Sequence, residues 1–273
     1  MTSRKTTTSA PHDALTDKLC DIGLRGLAAE LDDVIARATR GRWSVTKLLE
    51  HIVTLETQDR ARRSMERRLG RSRLGRFKPM ADFDWTWPKK LDKDALERVL
   101  SLDFLDHHEN VVLIANQGLG KTMIAKNLAH EAIVAGRTAL FISASDLLLD
   151  LGKQETGRTL ERRIKYFCTP HLLVIDELGY LSYDNQAADL IFQIVTRRYE
   201  RRPTVLTTNL AFSEWPTVFP NATCAVALID RLTHHAEIIT MEGESYRMRE
   251  AGETKKRRRK SGGRKPRRRG PRS

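Results

Sequence analysis

Hydrophobic positions divide the chain into a helical first part and an alternating second part. From Leu15 to about Gly75, apolar residues recur three or four positions apart, which predicts amphipathic helices. The recurring positions are Leu24, Leu27, Leu31, Ile35, Leu48, Ile52 and Leu55. We therefore expect a small all-helical domain over residues 14–79. Residues 1–13 are rich in Ser, Thr and Lys, and we expect them to be disordered.

After Leu91 the pattern changes to short apolar runs with helical segments between them. The runs are Val111–Ala115, Thr138–Ser143, Leu172–Ile175, Val205–Thr208 and Ile238–Met241. The helical segments include Met123–Ala135 and Gln186–Arg201. This alternation predicts an α/β fold over residues 91–253, with a five-stranded parallel sheet covered on both faces. The segment at residues 80–90 is aromatic, and we expect it to dock on a neighbouring surface.

Charge is concentrated in two segments. The formal net charge is +13, but the chain from Lys255 onward holds twelve Lys or Arg and no acid, which leaves +1 on the remainder. A second run, at residues 57–79, has nine basic residues against Asp59 and Glu66. Local basic segments on a near-neutral body indicate a polyanionic partner such as nucleic acid. The tail at residues 254–273 is expected to be disordered.

Composition limits the class of protein further. Apolar residues make up 40% of the chain and charged residues 30%, as in globular proteins. No apolar run approaches the roughly 20 residues needed to cross a bilayer, and the N-terminal stretch does not resemble a signal peptide. Cys20, Cys168 and Cys224 are far apart, which favours reduced thiols and a cytoplasmic location.

A glycine-rich turn follows the first predicted strand. The run Ala-Asn-Gln-Gly-Leu-Gly-Lys-Thr, from Ala115 to Thr122, lies between a strand and a helix, as a phosphate-binding loop requires. Ala115 replaces the first glycine of the motif, at a position that closes the turn onto the strand. We expect Lys121 to contact the β- and γ-phosphates and Thr122 to bind Mg²⁺. The predicted nucleotide contacts are Asn116, Gln117, Gly118, Leu119, Gly120, Lys121, Thr122 and Met123.

Polar residues also end the next predicted strands. Asp176 and Glu177 follow the apolar run Leu172–Ile175. In P-loop enzymes such a pair binds Mg²⁺ and activates the attacking water, so we expect Asp176 at the metal and Glu177 as the base. Asn209 ends the following strand and is in position to hold the same water from the other side.

Arg231 lies in a predicted helix near the end of the domain. An arginine finger that reaches a neighbouring subunit's phosphate and a solvated surface side chain both fit its position. His234 and His235 are adjacent, without other ligands nearby, and we do not expect a metal there.

Together these stretches resemble the IstB-like AAA+ ATPases, the helpers of insertion-sequence transposases, which are related to the helicase loader DnaC and the initiator DnaA. The resemblance runs from about Leu24 to Arg249. It is carried by Gly-Leu-Gly-Lys-Thr, by Leu-Leu-Val-Ile-Asp-Glu-Leu-Gly-Tyr-Leu at residues 172–181, and by Thr-Thr-Asn, Ile-Asp-Arg-Leu and Glu-Ser-Tyr-Arg. The run Asp-Glu-Leu-Gly-Tyr-Leu is specific to this group rather than to P-loop proteins in general.

The resemblance implies an AAA+ domain with ATP and Mg²⁺ as cofactors. Asn209 would be sensor 1, Arg231 a finger acting between subunits, and Arg247 the sensor 2 arginine. It also implies homo-oligomers on duplex DNA that present target DNA to a partner transposase. The predicted DNA contacts are Arg60, Arg63, Arg67, Lys153, Arg158, Arg162, Arg163 and Lys165. For the five residues from Lys153 to Lys165, a solvated helix face is the alternative.

Two other functions stay open on sequence grounds. One is a helicase-loading adaptor whose helical domain grips a replicative helicase. The other is a DNA-binding protein that uses its basic tail and has lost turnover because of Ala115. The arginine run and Leu-Gly-Tyr-Leu favour the transposition helper.

Overall fold

The structure is a computed structural model that describes residues 11–180, 182–220, 222–246 and 248–249. The predicted sensor 2 residue Arg247 lies outside the described residues, as do the basic tail and residues 1–10. The chain divides between Arg68 and Leu69 into two compact units. Within the described part, no helix combines the length and apolar character that crossing a membrane demands.

The first unit is helical. Its helices are α1 (Pro11–Asp21), α2 (Arg25–Ala29), α3 (Leu31–Arg40) and α4, which continues past the division (Val45–Arg71). Helix α1 begins inside the range expected to be disordered. Leu27, Leu31 and Val34 form the buried core, and most of the predicted apolar positions pack against it. Ile35 is instead 47% exposed, because Val34, three residues after Leu31, takes the inward position.

The second unit contains one six-stranded sheet. Its strands are β1 (Lys90–Leu91), β2 (Asn110–Ala115), β3 (Ala139–Ser143), β4 (Leu172–Leu178), β5 (Thr204–Thr208) and β6 (Ala236–Glu242), in the order β1-β6-β2-β5-β4-β3. The five predicted strands are present and mutually parallel. The sequence missed β1, which pairs antiparallel with β6, because two residues are too few to show a period.

Helices cover this sheet, and buried apolar residues fill the space beneath them. They are α5 (Lys93–Leu100), α6 (Lys121–Val134), α7 (Ala144–Gly152), α8 (Gly157–Cys168), α9 (Asn185–Arg198) and α10 (Ala222–Thr233). The chain passes from β2 to the outer strand β3, with β5 and β4 lying between them. Such a change in strand order opens a crevice at the carboxyl ends of the strands, where ligands bind in open α/β sheets.

The amino ends of β4 and β5 are held by one buried guanidinium. Arg198, at the end of α9, is 2% exposed. It donates to five backbone carbonyls and to the Thr204 hydroxyl, at distances from 2.6 to 3.3 Å. Burial lowers the pKa of Arg198 to about 9. The side chain therefore ties together the loops that lead into both strands.

Candidate nucleotide-binding site

The loop between β2 and α6 adopts a backbone that only glycine accepts easily. Gly118 has φ 82° and Gly120 has φ 96°, and Gly120 is the N-cap of α6. The loop therefore leads directly into a helix N-terminus, whose unpaired N–H groups favour anions. Ala115 is the last residue of β2, is 4% exposed and pairs with Met241 of β6. Its methyl group thus belongs to the sheet core.

The first turn of α6 faces the end of β4. The Thr122 hydroxyl lies 3.1 and 3.0 Å from the two carboxylate oxygens of Asp176. The Lys121 ammonium group is buried beside the loop, where it donates to the carbonyls of Ala115 (2.5 Å) and Asn116 (3.0 Å). A hydroxyl next to a carboxylate is a set of oxygen donors of the kind that Mg²⁺ prefers. These residues therefore fit the magnesium role expected of them.

Thr207, on β5, organises the acidic pair. Its side chain is fully buried, and its hydroxyl donates to Asp176 Oδ1 (2.5 Å) while it accepts from the backbone N–H of Glu177 (2.9 Å). Glu177 has a left-handed backbone with φ 61°, which is costly for a residue with a side chain. The Thr207 hydroxyl thus fixes both the carboxylate of one residue and the backbone of the next.

A cleft of about 310 Å³ gathers most of the predicted residues. It is lined by Gln117, Gly118, Gly120, Lys121, Thr122, Glu177, Tyr180 and Asn209. The Glu177 side chain is exposed to this cleft, whereas Asp176 is buried behind it. Sequence reasoning missed Tyr180 and Thr207, although a threonine inside the apolar run Val205–Thr208 was a signal that its hydroxyl needs a polar partner.

Two flanking segments pack against the phosphate loop. A Cβ atom on Gly120 would lie 2.8 Å from the ring of Phe83, and one on Gly118 would overlap the Ser245 side chain. The Tyr246 N–H donates to the carbonyl of Gly118 (2.9 Å). The aromatic segment therefore docks on a neighbouring surface, as expected, and that surface is the loop itself. Both glycines are required by close packing as well as by their φ angles.

Arg231 lies at the opposite end of the sheet from the loop. It is in the last turn of α10, with its guanidinium 4.6 Å from the Phe192 ring centre and bonded to the carbonyl of Ala227. The Asn110 side chain, at the start of β2, donates to the carbonyl of Leu232 (3.2 Å). Since six residues of β2 separate this end from the loop, the two are about 20 Å apart. One chain does not bring Arg231 to its own loop.

Near Arg231, two histidines have a neighbour that the sequence did not reveal. Ligand atoms of His234, His235 and Glu200 lie within 4.8 Å of one another, and all three side chains are exposed. The expectation that no other ligand is nearby was wrong, because Glu200 is distant in sequence. The Tyr199 hydroxyl is 2.7 Å from Nδ1 of His234, so that nitrogen already has a hydrogen-bond partner.

The predicted DNA contacts lie on α4, on α8 and at the end of α7, and some of them already form ion pairs with carboxylates. On α4, Arg60 and Arg63 form ion pairs with Glu56 (3.7 Å) and Asp59 (2.6 Å), and Arg67 is exposed. On α8, the Arg163 guanidinium makes a bidentate pair with Asp150, whose pKa it lowers. The remaining residues of the set are exposed on α8 or at the end of α7, namely Lys153, Arg158, Arg162 and Lys165.

Comparison with known proteins connects this geometry with a family. Residues 17–254 match the family described as IstB-like ATP binding protein. The chain belongs to this family. Among IstB-like relatives, the putative ATP-binding protein of insertion sequence IS5376 from Geobacillus stearothermophilus is 36% identical over 76% of this chain and 82% of the relative. The corresponding IS21 protein from Pseudomonas aeruginosa is 32% identical over 85% and 88%.

A solved structure supports the fold assignment. The crystal structure of DnaI superimposes with a TM-score of 0.50 at 19% identity, over 61% of this chain and 89% of DnaI. At that identity the likeness concerns the fold alone. The IstB-like chain therefore shares an α/β fold with DnaI, which agrees with the fold class expected from its sequence.

Proposed function

We propose that this IstB-like protein binds ATP together with Mg²⁺ and hydrolyses the γ-phosphate bond. The observation that carries the proposal is the convergence of Lys121, Thr122, Glu177 and Asn209 on one cleft, with Asp176 against Thr122. The names of the insertion-sequence relatives support the nucleotide, since they are described as putative ATP-binding proteins.

In the proposed mechanism, each side chain has a separate task. Lys121 turns from the loop carbonyls to the β- and γ-phosphates, and the N-terminus of α6 holds their oxygens. Thr122 and Asp176 would hold Mg²⁺, whose chemistry in such sites is neutralisation of phosphate charge. Glu177 accepts a proton from the attacking water, and Asn209 orients that water. The Thr207 hydroxyl fixes the Asp176 carboxylate and the Glu177 backbone relative to each other.

The position of Arg231 supports assembly of several copies. A side chain about 20 Å from its own loop cannot stabilise charge on its own nucleotide. The same side chain, half-buried at the end of α10, is available to the nucleotide of a neighbouring copy. We propose that Arg231 acts in trans, so that hydrolysis requires a homo-oligomer.

The wider role that we propose is that of a transposition helper on duplex DNA. The relatives are named for insertion sequences, and the two basic segments of this chain would neutralise DNA phosphates. ATP would then control assembly on DNA, and hydrolysis would end the assembled state. Such an assembly would present target DNA to a partner transposase.

Three measurements test this proposal. Phosphate release should depend on both ATP and Mg²⁺ and should be lost in Glu177→Gln. Electron microscopy with duplex DNA and a non-hydrolysable ATP analogue should show oligomers on the DNA, and only monomers under those conditions would refute the assembly. Pull-downs with the cognate transposase and with a replicative helicase should retain the transposase. Retention of the helicase alone would favour a loading adaptor.

A further inference from the structure

A second cleft, of about 240 Å³, lies at the amino end of the sheet. Its walls come from the segments that precede β2, β3, β4 and β5, so it is at the opposite end of these strands from the phosphate loop. Arg137, Arg201 and Arg202 line it together with two histidines, His108 and His171. The cleft is therefore rich in groups that bind anions.

Positive charge in this cleft exceeds negative charge. Asp106 is its one carboxylate, and the Arg137 guanidinium already pairs with it at 2.5 Å. Within the described part of the chain, neither Arg201 nor Arg202 has a carboxylate within ion-pair distance. The backbone N–H groups of both residues donate to the carbonyl of Arg198 (2.9 Å each), which fixes the turn that presents their side chains.

A further cation lies directly under the wall of the cleft. The buried Arg198 guanidinium donates to the carbonyls of His171 (3.3 Å) and Pro203 (2.6 Å), both of which belong to that wall. The hydrogen-bond partners of Arg198 are carbonyls and the Thr204 hydroxyl. Because these partners are uncharged, they do not neutralise the positive charge of the guanidinium. Three guanidinium groups and one carboxylate thus line the cleft, and a fourth guanidinium lies beneath its wall. The pKa of His171 is lowered by burial and then by the charges of Arg202, Arg137 and Arg198, which agrees with a positive field.

We propose that this cleft binds a phosphate group of the nucleic-acid backbone. Its volume is below the roughly 300–1,000 Å³ typical of small-molecule pockets, so it fits one projecting group better than a whole nucleotide. The forked donors of Arg201 and Arg202 match the oxygens of a phosphate. The inference rests on the proposed binding of DNA and adds a contact surface that the predicted DNA residues do not include.

The test is a salt titration of DNA binding by the full chain. Fluorescence anisotropy with a labelled duplex is measured for the parent and for Arg201→Ala/Arg202→Ala. If each arginine neutralises one phosphate, the negative slope of log affinity against log salt should become shallower by about 1.8 in the variant. When the two lines meet at 1 M salt, this corresponds to about 30-fold weaker binding at 0.15 M. Arg201→Lys/Arg202→Lys keeps the charge and should recover most of the slope.

A matched control removes the same charge elsewhere. Arg98 and Arg197 are exposed arginines that pair with Glu237 (2.6 Å) and Glu161 (2.5 Å). Arg98→Ala/Arg197→Ala therefore lowers the net charge by the same amount without touching the cleft. We expect its salt slope to stay close to that of the parent. ATP hydrolysis without DNA should be similar in both double variants, which shows that they fold.

Four results would overturn the inference. An unchanged salt slope in the cleft variant would exclude a phosphate contact. An equal change of slope in Arg98→Ala/Arg197→Ala would show that the effect comes from net charge and not from the cleft. Loss of ATP-dependent assembly without DNA, measured by sedimentation, would assign the cleft to a second copy of the chain. A parent protein that binds no DNA would refute the proposed function and this inference together, and the parent titration alone reveals that case.

Discussion

The two ends of β4 and β5 carry opposite chemistry on the same pair of strands. At the carboxyl end, Thr207 donates to the carboxylate of Asp176. At the amino end, three residues earlier on β5, Thr204 accepts from the buried guanidinium of Arg198. Both threonines are buried. The Thr207 hydroxyl is a donor and the Thr204 hydroxyl is an acceptor. The first belongs to the proposed catalytic site, whereas the second belongs to a network that stabilises the fold.

The largest expected effect is at the carboxyl end, in Glu177→Gln. The amide cannot accept a proton from water, so we expect the rate of ATP hydrolysis to fall by about 10²–10⁴-fold. ATP affinity should be nearly unchanged, because Glu177 is assigned to the water and not to the nucleotide. Single-turnover hydrolysis and equilibrium ATP binding measure the two quantities separately. A variant that assembles on DNA no more persistently than the parent would show that the base is assigned wrongly.

Arg198→Met tests the amino end. Removing the guanidinium leaves several buried carbonyls without a donor, which should lower the free energy of unfolding by about 3 kcal/mol. Urea denaturation measures the loss, and Arg197→Met, one residue earlier and exposed, should cost less than about 1 kcal/mol. Where Arg198→Met remains folded, its rate of ATP hydrolysis should be close to that of the parent. A selective loss of hydrolysis would mean that the two ends are not independent.

Lys121→Ala should act on binding before chemistry. A charge-assisted hydrogen bond to phosphate contributes about 1.5–3 kcal/mol, so ATP affinity should fall by about 10- to 150-fold. Assembly that depends on ATP should disappear at the same time. Calorimetric titration with ATP measures the affinity. Lys126→Ala, on the same helix but with its ammonium 4.8 Å from the Phe141 ring centre, should bind ATP like the parent.

The smallest expected effect is that of Thr207→Val. It tests the comparison most directly, because Thr204→Val is the same substitution at the other end of the strand. Thr207→Val removes one hydroxyl at nearly constant shape, so Asp176 keeps the Thr122 hydroxyl but loses the shorter bond from Thr207, and the Glu177 N–H loses its acceptor there. We expect hydrolysis to slow by about 5- to 30-fold, from a loss of about 1–2 kcal/mol, with a higher Mg²⁺ requirement. Thr207→Ser should restore both. Thr204→Val should lower stability by a similar free energy yet leave the rate and the Mg²⁺ requirement in place.

Much of the fold was predictable from local pattern. Apolar runs of four to six residues marked the five parallel strands. Strands β2 to β5 are buried along most of their length, which gives nearly continuous apolar runs, whereas β6 alternates between exposed and buried positions in its second half. The observed strand boundaries differ from the predicted ones by one to three residues. Strand β4, for example, includes Asp176 and Glu177 and ends at Leu178, three residues beyond the predicted end at Ile175. The predicted convergence of Lys121, Thr122 and Asp176 follows from strand order, which brings the ends of β2 and β4 to the same crevice.

The features that the sequence left hidden depend on contacts between distant positions. Nothing in the local pattern around Phe83 shows that its ring covers Gly120, and nothing around Arg201 shows that Arg137 lies across a cleft from it. The role of Thr207 needs the register of β5 against β4, which a periodicity cannot provide. The distance from Arg231 to the loop likewise required the direction of β2.

The left-handed backbone of Glu177 has a consequence for how this protein tolerates mutation. A side chain at φ 61° costs about 1–2 kcal/mol, whereas glycine there would cost about 0.5–1 kcal/mol in unfolded-state entropy. Glu177→Gly should therefore fold at least as well as the parent while it loses the carboxylate. A library selected only for expression or heat resistance would accept that change without penalty. Only selection for activity can keep glutamate at this position.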